Sequence, residues 1–454
     1  MLVGGFTDRR RLVAAGLYTM ATSAAILLLN VGSGVMLARV LGPSGRGQLA
    51  ALVLWPFLLA NITATGMADA ITYYTSKEEE HRKDLVGTSL LIALVQAGVY
   101  LTVAWFLMPA VLNRYGESVV EASRWYLAWI PLYLLWFTGN AVLLARSQVR
   151  AFNRVRLTVI ACTVIGLVPM FVFRISNLNY IVVVYVLANG VALAVVLAEL
   201  GRKGWLEWKP SLSFANTLWR YGMKASIMTV SGMTNERADQ ALISLLLPAY
   251  ALGLYAIAVT VSAPVVFLVG SLSIVALPTI ARARTEDERK QFLTRFVQAA
   301  LLIAVVSALC LAALVSPIIR LFFGSSFLPA TESAQILVFG AVALSLTAVL
   351  SAGLKAFNEP LTPGLAQVLA NVVTVAALLA LLPRLGILGA AIASLLAYSV
   401  AAIFLMAAIR RRGISIRQIL IPTRSDVLWL IKSARQRLKS ERSSASGAEN
   451  SHDG

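Results

Sequence analysis

The sequence predicts an all-α polytopic membrane protein with about 12 transmembrane helices, arranged as two parallel six-helix repeats around a central cavity. Composition, long apolar runs and an internal duplication lead to this fold class. Apolar residues make up 59% of the 454-residue chain and charged residues only 13%, whereas an average soluble domain carries about 25% charged residues. The mean hydropathy is +0.79. A surface of this composition requires lipid as its solvent.

Twelve apolar runs are long enough to cross the hydrocarbon core of a bilayer, which takes about 20 helical residues. They are residues 12–41, 47–75, 85–112, 122–146, 157–174, 180–198, 217–246, 251–280, 292–316, 331–354, 361–382 and 386–409. The first run follows a cluster of arginines at 9–11 and could imitate a signal peptide. It is much longer than a cleavable core of about 7–15 residues, so it is predicted to be the first membrane helix.

The positions of Lys and Arg predict the orientation of these spans, because cytoplasmic loops carry the excess of positive charge. With the N-terminus inside, 30 of the 39 basic residues fall on the inner side and 7 on the outer side. Both termini are therefore predicted to be cytoplasmic. Most of the net charge of +18 is then topogenic or faces anionic lipid, which removes the main argument for nucleic-acid binding.

The two halves of the chain resemble each other at a nearly constant offset. "GQLAALV" at 47 matches "GLYAIAV" at 253, "EEHRK" at 79 matches "EDERK" at 286, and "RAFN" at 150 matches "KAFN" at 355. Membrane helices share composition and can match by chance, but three ordered matches favour a duplicated unit of six helices. Parallel repeats of this kind are typical of transporters. The predicted domains are 1–208, 209–410 and a basic cytoplasmic tail, 411–454, whose segment 425–439 is predicted to be amphipathic and the remainder disordered.

Few ionisable residues fall within the predicted spans or at their ends. They are Arg39, Asp69, Lys224, Glu236, Arg237 and Asp239. A charge at the centre of a membrane helix costs about 2.5–3.5 kcal/mol even on insertion scales, so it usually faces a cavity or a partner. Arg237 lies midway along its span among other polar residues. It is either half of a structural ion pair, with a neighbouring carboxylate or Asp69, or part of an anion site.

The acidic residues Asp69, Glu236 and Asp239 are candidates for binding a coupling ion or for charge balance. Arg150 and Lys355, in the two "AFN" segments, are candidates for contact with a phosphorylated headgroup on the cytoplasmic side, or simply topogenic charge. The chain has only two cysteines and two histidines. No cofactor and no metal site are predicted, and the loops are too short for a soluble enzyme domain.

Two segments resemble a known family. The stretch "ATSAAILLLNVGSGVMLARVLGPSGRGQLAAL" is similar to the first two helices of bacterial polysaccharide flippases, and "NERADQALISLLLPAYALGLYAIAVTVSAPVVFL" is similar to that family's R-x-D and G-x-Y-A stretches. The resemblance extends to about residue 410. It is to the polysaccharide transporter (oligosaccharide flippase) family of the multidrug/oligosaccharidyl-lipid/polysaccharide flippase superfamily. Arg39, Arg237 and Asp239 match its motifs.

The resemblance implies a flippase, not an enzyme, that moves an undecaprenyl-diphosphate-linked oligosaccharide between leaflets of the bacterial cytoplasmic membrane. Arg237, with Arg39 and Lys224, would hold the diphosphate. Expected partners are the lipid-linked oligosaccharide, anionic membrane lipid and other polysaccharide assembly proteins. Two alternatives stay open at this point: a multidrug or cation antiporter of the same fold, and a membrane-embedded glycan polymerase or ligase.

Overall fold

The computed structural model describes residues 4–77, 84–206, 208–415 and 417–418, without the side chains of residues 4–15, 17, 227–235, 271 and 274. Within these ranges all regular secondary structure is helical. The helices are α1 (Gly4–Lys77), α2 (Asp84–Leu112), α3 (Glu117–Tyr126), α4 (Trp129–Ala145), α5 (Val149–Phe173), α6 (Leu178–Arg202), α7 (Leu212–Leu246), α8 (Ala249–Ala281), α9 (Glu286–Ile318), α10 (Thr331–Ala356) and α11 (Leu361–Arg411). The all-α membrane fold is confirmed.

Two of these helices contain a break that divides them into two membrane passes. Gly42 interrupts α1 with φ 64° and Gly386 interrupts α11 with φ 57°, a backbone conformation that glycine adopts without steric cost. The described residues contain nine helical stretches that are long and apolar enough to cross a membrane, counting α1 and α11 once each. With each break counted and the 35-residue α7 included, every one of the twelve predicted passes has a helical counterpart.

Contact clustering divides the chain into two compact units. The first unit comprises Met1–Val261, Leu314–Leu337 and Asn371–Ser394, and the second comprises Ser262–Ala313, Val338–Ala370 and Leu395–Gly454. The boundaries between the units fall inside helices α8, α9, α10 and α11. The predicted division at residue 208 follows the repeat instead, and it stays a prediction.

The core of the first unit joins α1 to α5 and α6. Its buried cluster consists of Leu37, Leu49, Leu167, Met170, Ile181 and Val184. Two hydrogen bonds between buried polar side chains join helices of this unit: the Tyr133 hydroxyl donates to Asn61 Oδ1 at 2.9 Å, and Trp136 Nε1 donates to Asn189 Oδ1 at 2.8 Å. They connect α4 to α1 and α6 and satisfy polar groups whose burial without a partner would be costly.

The second unit contains the polar contacts near the end of the described chain. Arg412 forms an ion pair with Glu359, and Gln298 Nε2 donates to the backbone carbonyl of Gln418 at 2.6 Å. These contacts attach the residues that follow α11 to α9 and to the turn before α11. The predicted amphipathic segment 425–439, the polar end of the tail and the matched residues 79–83 lie outside the described residues.

One of the repeat matches corresponds to a reciprocal contact between two helices. A Cβ on Gly47 would lie 1.7 Å from the carbonyl oxygen of Ala249, and a Cβ on Gly253 would lie 1.9 Å from the carbonyl oxygen of Pro43. Both pairs, Gly47 with Gly253 and Pro43 with Ala249, are separated by 206 residues. The second half of α1 and the start of α8 therefore pack backbone to backbone in the self-complementary way that a two-fold axis produces. This supports the duplication.

A second correspondence lies in the backbone. Gly116 precedes α3 with φ 101° and ψ 157°, and Gly324, 208 residues later, follows the end of α9 with φ 106° and ψ 164°. Glycine alone adopts this region readily. The glycines of "RYGES" and "FFGSS" therefore have the same backbone conformation in the two halves.

The "AFN" match, in contrast, does not reflect structural equivalence. Residues 151–153 lie inside α5, whereas residues 356–358 end α10 and form a turn. The residues that correspond in conformation are Ser147, with φ 58°, and Asn358, with φ 62°, each in the turn between two helices. The interpretation of the "AFN" segments as equivalent loops was wrong, because a four-letter similarity in amphipathic sequence arises easily by chance.

Candidate functional site

The polar stretch of α7 contains Arg237, which lies in the first unit and is half buried. Its Nη1 donates to Gln240 Oε1 at 3.2 Å, and its guanidinium carbon lies 5.6 Å from the centroid of the Phe57 ring. The face of an aromatic ring attracts a cation. A guanidinium has five N–H donors, so this arrangement orients Arg237 and leaves donors for an anionic ligand.

Arg237 takes part in none of the ion pairs found among the described residues. Those pairs are Arg154–Glu199, Lys290–Glu286 and Arg412–Glu359. Arg237 contacts a neutral amide and a ring, and the carboxyl groups of Glu236 and Asp239 are close enough to interact with its charge electrostatically. Charge balance and an anion site both stay predictions for Arg237.

Asp239 occupies a different environment, only two residues further along α7. Its carboxyl group is buried, with the residue 3% exposed. The Tyr255 hydroxyl donates to Oδ2 at 2.5 Å, Ser394 Oγ donates to the same oxygen at 3.3 Å, and the backbone N–H of Gln240 donates to Oδ1 at 2.6 Å. The carboxylate thus joins α7 to α8 and α11 through two of these hydrogen bonds, and the third lies within α7.

Sequence analysis did not identify two of these partners. Tyr255 lies in the "GLYA" segment that carries the family resemblance, so its motif could have indicated it. Ser394 lies in an apolar run that gave no signal. A serine in a membrane helix is so common that its position alone indicates no partner.

Replacing Asp239 with alanine is expected to lower the thermal stability of the protein. The Tyr255 hydroxyl and Ser394 Oγ would lose their common acceptor, and removing the hydrogen-bond partner of a buried polar group costs about 1–3 kcal/mol. Asp239→Asn should cost less, because its amide oxygen can still accept from Tyr255. Thermal unfolding of the purified protein in detergent measures both. An alanine variant as stable as wild type would show that the carboxylate has no structural role.

The remaining predicted residues are exposed, in contrast to Arg237 and Asp239. Asp69 on α1, and Lys224 and Glu236 on α7, are exposed in the structure. Arg150, in the first turn of α5, and Lys355, in the last turn of α10, are exposed as well. Their predicted roles in charge balance, coupling and headgroup contact stay predictions.

Arg39 contacts the end of another helix. Its Nε donates to the carbonyl of Phe322 at 2.7 Å, and Nη2 donates to the carbonyl of Leu321. Both carbonyls belong to the π-helical turn Ile319–Phe323 that follows α9. The contacts found for Arg39 and for Arg237 share no residue. A role of Arg39 in binding stays a prediction.

Residues 36–332 match the family described as "Polysaccharide biosynthesis protein", which is more than half of the chain. The chain belongs to the polysaccharide biosynthesis protein family. A curated relative of this family member, described as the probable low-salt glycan biosynthesis flippase Agl15 of Haloferax volcanii, is 23% identical over 195 residues, which is 42% of this chain. The aligned stretch spans 41% of that relative's length.

Solved structures extend the similarity of this family member to nearly the whole fold. A structure described as "Lipid II flippase MurJ, inward closed conformation" aligns with a TM-score of 0.77 at 14% identity, covering 89% of each chain. An inward-facing multidrug resistance MATE family transporter of the MOP superfamily aligns with a TM-score of 0.70 at 14% identity, covering 86% of this chain and 95% of that chain. Identity this low shows the fold alone, an all-α fold of membrane-spanning helices.

Proposed function

We propose that this protein moves an oligosaccharide linked to undecaprenyl diphosphate from the inner to the outer leaflet of the cytoplasmic membrane by alternating access. The observation that carries the proposal is the family match over residues 36–332 combined with a half-buried arginine within α7, Arg237. The flippase description of the Haloferax relative supports the same reading. Both termini would then face the cytoplasm, as the charge asymmetry predicts.

The physical problem that such a protein solves is the diphosphate. A doubly charged group cannot enter hydrocarbon unaided, because removing its hydration costs far more than any single contact returns. A guanidinium matches phosphate oxygens through paired hydrogen bonds. In this proposal Arg237 binds the diphosphate, with Lys224 and Arg39 contributing positive charge along its path, while the prenyl tail remains in lipid.

The other predicted groups have supporting roles in this proposal. Arg150 and Lys355, both exposed at helix ends, would attract the headgroup and anionic lipid on the cytoplasmic side. Asp69, Glu236 and Asp239 remain the acidic groups available to a coupling ion or to charge balance. The protein itself would perform no bond chemistry, and other polysaccharide assembly proteins would supply the lipid-linked unit and use it after flipping.

Deletion of the coding sequence in the native host tests the proposal directly. Lipid-linked oligosaccharide is expected to accumulate on the inner leaflet and surface glycan to disappear, and a plasmid copy should restore both. The measurement is the fraction of radiolabelled lipid-linked oligosaccharide accessible from outside in spheroplasts. Unchanged surface glycan together with increased drug sensitivity would contradict the proposal and favour the antiporter.

A further inference from the structure

Two contacts at the ends of helices connect the two repeats and are related to each other by the duplication. In the first, Arg39 at the end of the first half of α1 donates to the carbonyls of Leu321 and Phe322. In the second, Arg114 donates to the carbonyl of Leu245 at the end of α7. Leu245 is 206 residues from Arg39. The first contact joins the end of the first half of α1 to the turn before Gly324. The second joins the turn before Gly116 to the end of α7, so equivalent helix ends of the two repeats take part in both contacts.

The second contact has an additional hydrogen bond. The hydroxyl of Tyr115, the residue after Arg114, donates to the carbonyl of Ser244 at 2.7 Å. Tyr115 is buried whereas Arg114 is exposed. Arg114 and Tyr115 end the 3-10 turn before Gly116, and Leu321 and Phe322 lie in the π-helical turn before Gly324. Each contact therefore involves the turn that precedes one of the two glycines, Gly116 or Gly324.

The acceptors are carbonyls at the ends of helices, which lack an intrahelical partner. The C-terminal end of a helix also carries partial negative charge, so a guanidinium there is favoured electrostatically. An arginine from the opposite repeat therefore serves as the cap of each helix end. The accepting atoms are part of the backbone, so the contact depends on the position of the helix and not on the side chain at its end.

Both contacts lie at the end of the bundle that the charge distribution assigns to the outside, since Arg39 and Arg114 fall between predicted inner segments. The backbone contact of Gly47 with Gly253 begins immediately after the first of them in the chain. The contacts of Arg39 and Arg114, with that of the two glycines, hold the outer ends of the repeats together. Transport by alternating access requires these ends to separate in the release step.

We infer that Arg39 and Arg114, with Tyr115, form a two-part outer latch in which residues of the first repeat cap two helix ends of the second, which holds the repeats closed on the outer side and opens when cargo is released. This inference rests on the alternating access of the proposed function. Arg39 is then a gating residue of the closed state. The exposure of both arginines suits reversible contacts, because water can replace each hydrogen bond as the latch opens.

Distance measurement between the outer ends tests the latch without any cargo. Ser118 and Ser326 are exposed, one beyond each glycine turn, and both are replaced by cysteine for spin labelling in a chain carrying Cys162→Ala and Cys310→Ala. In proteoliposomes, electron–electron double resonance should give one dominant short distance. Arg39→Gln with Arg114→Gln should add a longer distance and raise the ratio of open to closed protein about tenfold.

Arg124→Gln is the matched control. Arg124 is an exposed arginine of α3 near the same end, with its guanidinium carbon 5.2 Å from the Trp105 ring, and its loss should leave the distances unchanged. Should the double variant not be recovered folded, the single variants Arg39→Lys and Arg114→Lys, which keep the charge but lose the planar fork, should each give a smaller shift.

A distance distribution equal to wild type in a folded Arg39 and Arg114 variant would overturn the latch. That result would not contradict the proposed cargo, because the accumulation of lipid-linked oligosaccharide in the deletion strain tests the cargo separately. A longer distance in the control variant as well would equally overturn the proposal, because it would show that any loss of positive charge opens the outer end.

Discussion

Replacing Arg237 with alanine is expected to abolish export of surface glycan while the protein still inserts in the membrane at the wild-type level. The guanidinium is oriented by Gln240 and Phe57 and is proposed to bind the diphosphate. A lost hydrogen bond to a charged group costs about 1.5–3 kcal/mol, which corresponds to a loss of transport of at least about tenfold. Outside-accessible lipid-linked oligosaccharide, compared at equal protein level in the deletion strain, measures the effect.

Two further variants separate loss of the site from loss of charge. Arg237→Lys keeps the charge but not the planar fork, and it should retain part of the export. Arg220→Ala removes an exposed arginine from the same helix and should export normally. Normal export by the Arg237→Ala protein would eliminate the anion-site role and leave Arg237 as a residue of structural importance only.

Replacing Gly47 with alanine is expected to destabilise the protein strongly. The new Cβ would be 1.7 Å from the carbonyl oxygen of Ala249, and the backbone of α8 cannot move aside as a flexible side chain can. Overpacking typically costs about 1–3 kcal/mol, and a collision with backbone should reach at least the upper part of that range. The midpoint of thermal unfolding in detergent should fall accordingly, and Gly253→Ala should lower it similarly.

Gly190 provides the control for this prediction. It lies in the interior of α6, and a Cβ there would meet no heavy atom within 4 Å. Alanine is favoured over glycine in a helix by about 0.5–1 kcal/mol, so Gly190→Ala should be neutral or slightly stabilising. Equal unfolding midpoints for Gly47→Ala and Gly190→Ala would contradict the close approach of α1 and α8.

The sequence was sufficient to predict the fold class, because apolar runs and charge asymmetry are properties of single segments. It also predicted the breaks near Gly42 and Gly386, where short turns separate adjacent runs. Arg237 stood out because a charge in a long apolar run is costly wherever the helix packs.

The partners of these residues could not be predicted in the same way. Ser394 becomes important only because α11 brings it to Asp239, and no local pattern encodes that approach. Arg39 and Arg114 contact backbone carbonyls, which every residue carries, so the acceptor has no signature in the sequence. The "AFN" segments show the opposite error, since their letters match and their structures differ.

The acceptors of the Arg39 contact limit where a proton could act on this protein. Arg39 donates to the peptide carbonyls of Leu321 and Phe322, and a peptide carbonyl does not titrate near neutral pH. Unlike an arginine–carboxylate pair, this contact contains no carboxyl group that a proton could neutralise. If a proton gradient drives this protein, the proton has to act at a carboxyl group elsewhere in the chain, and this contact follows the movement of the helices.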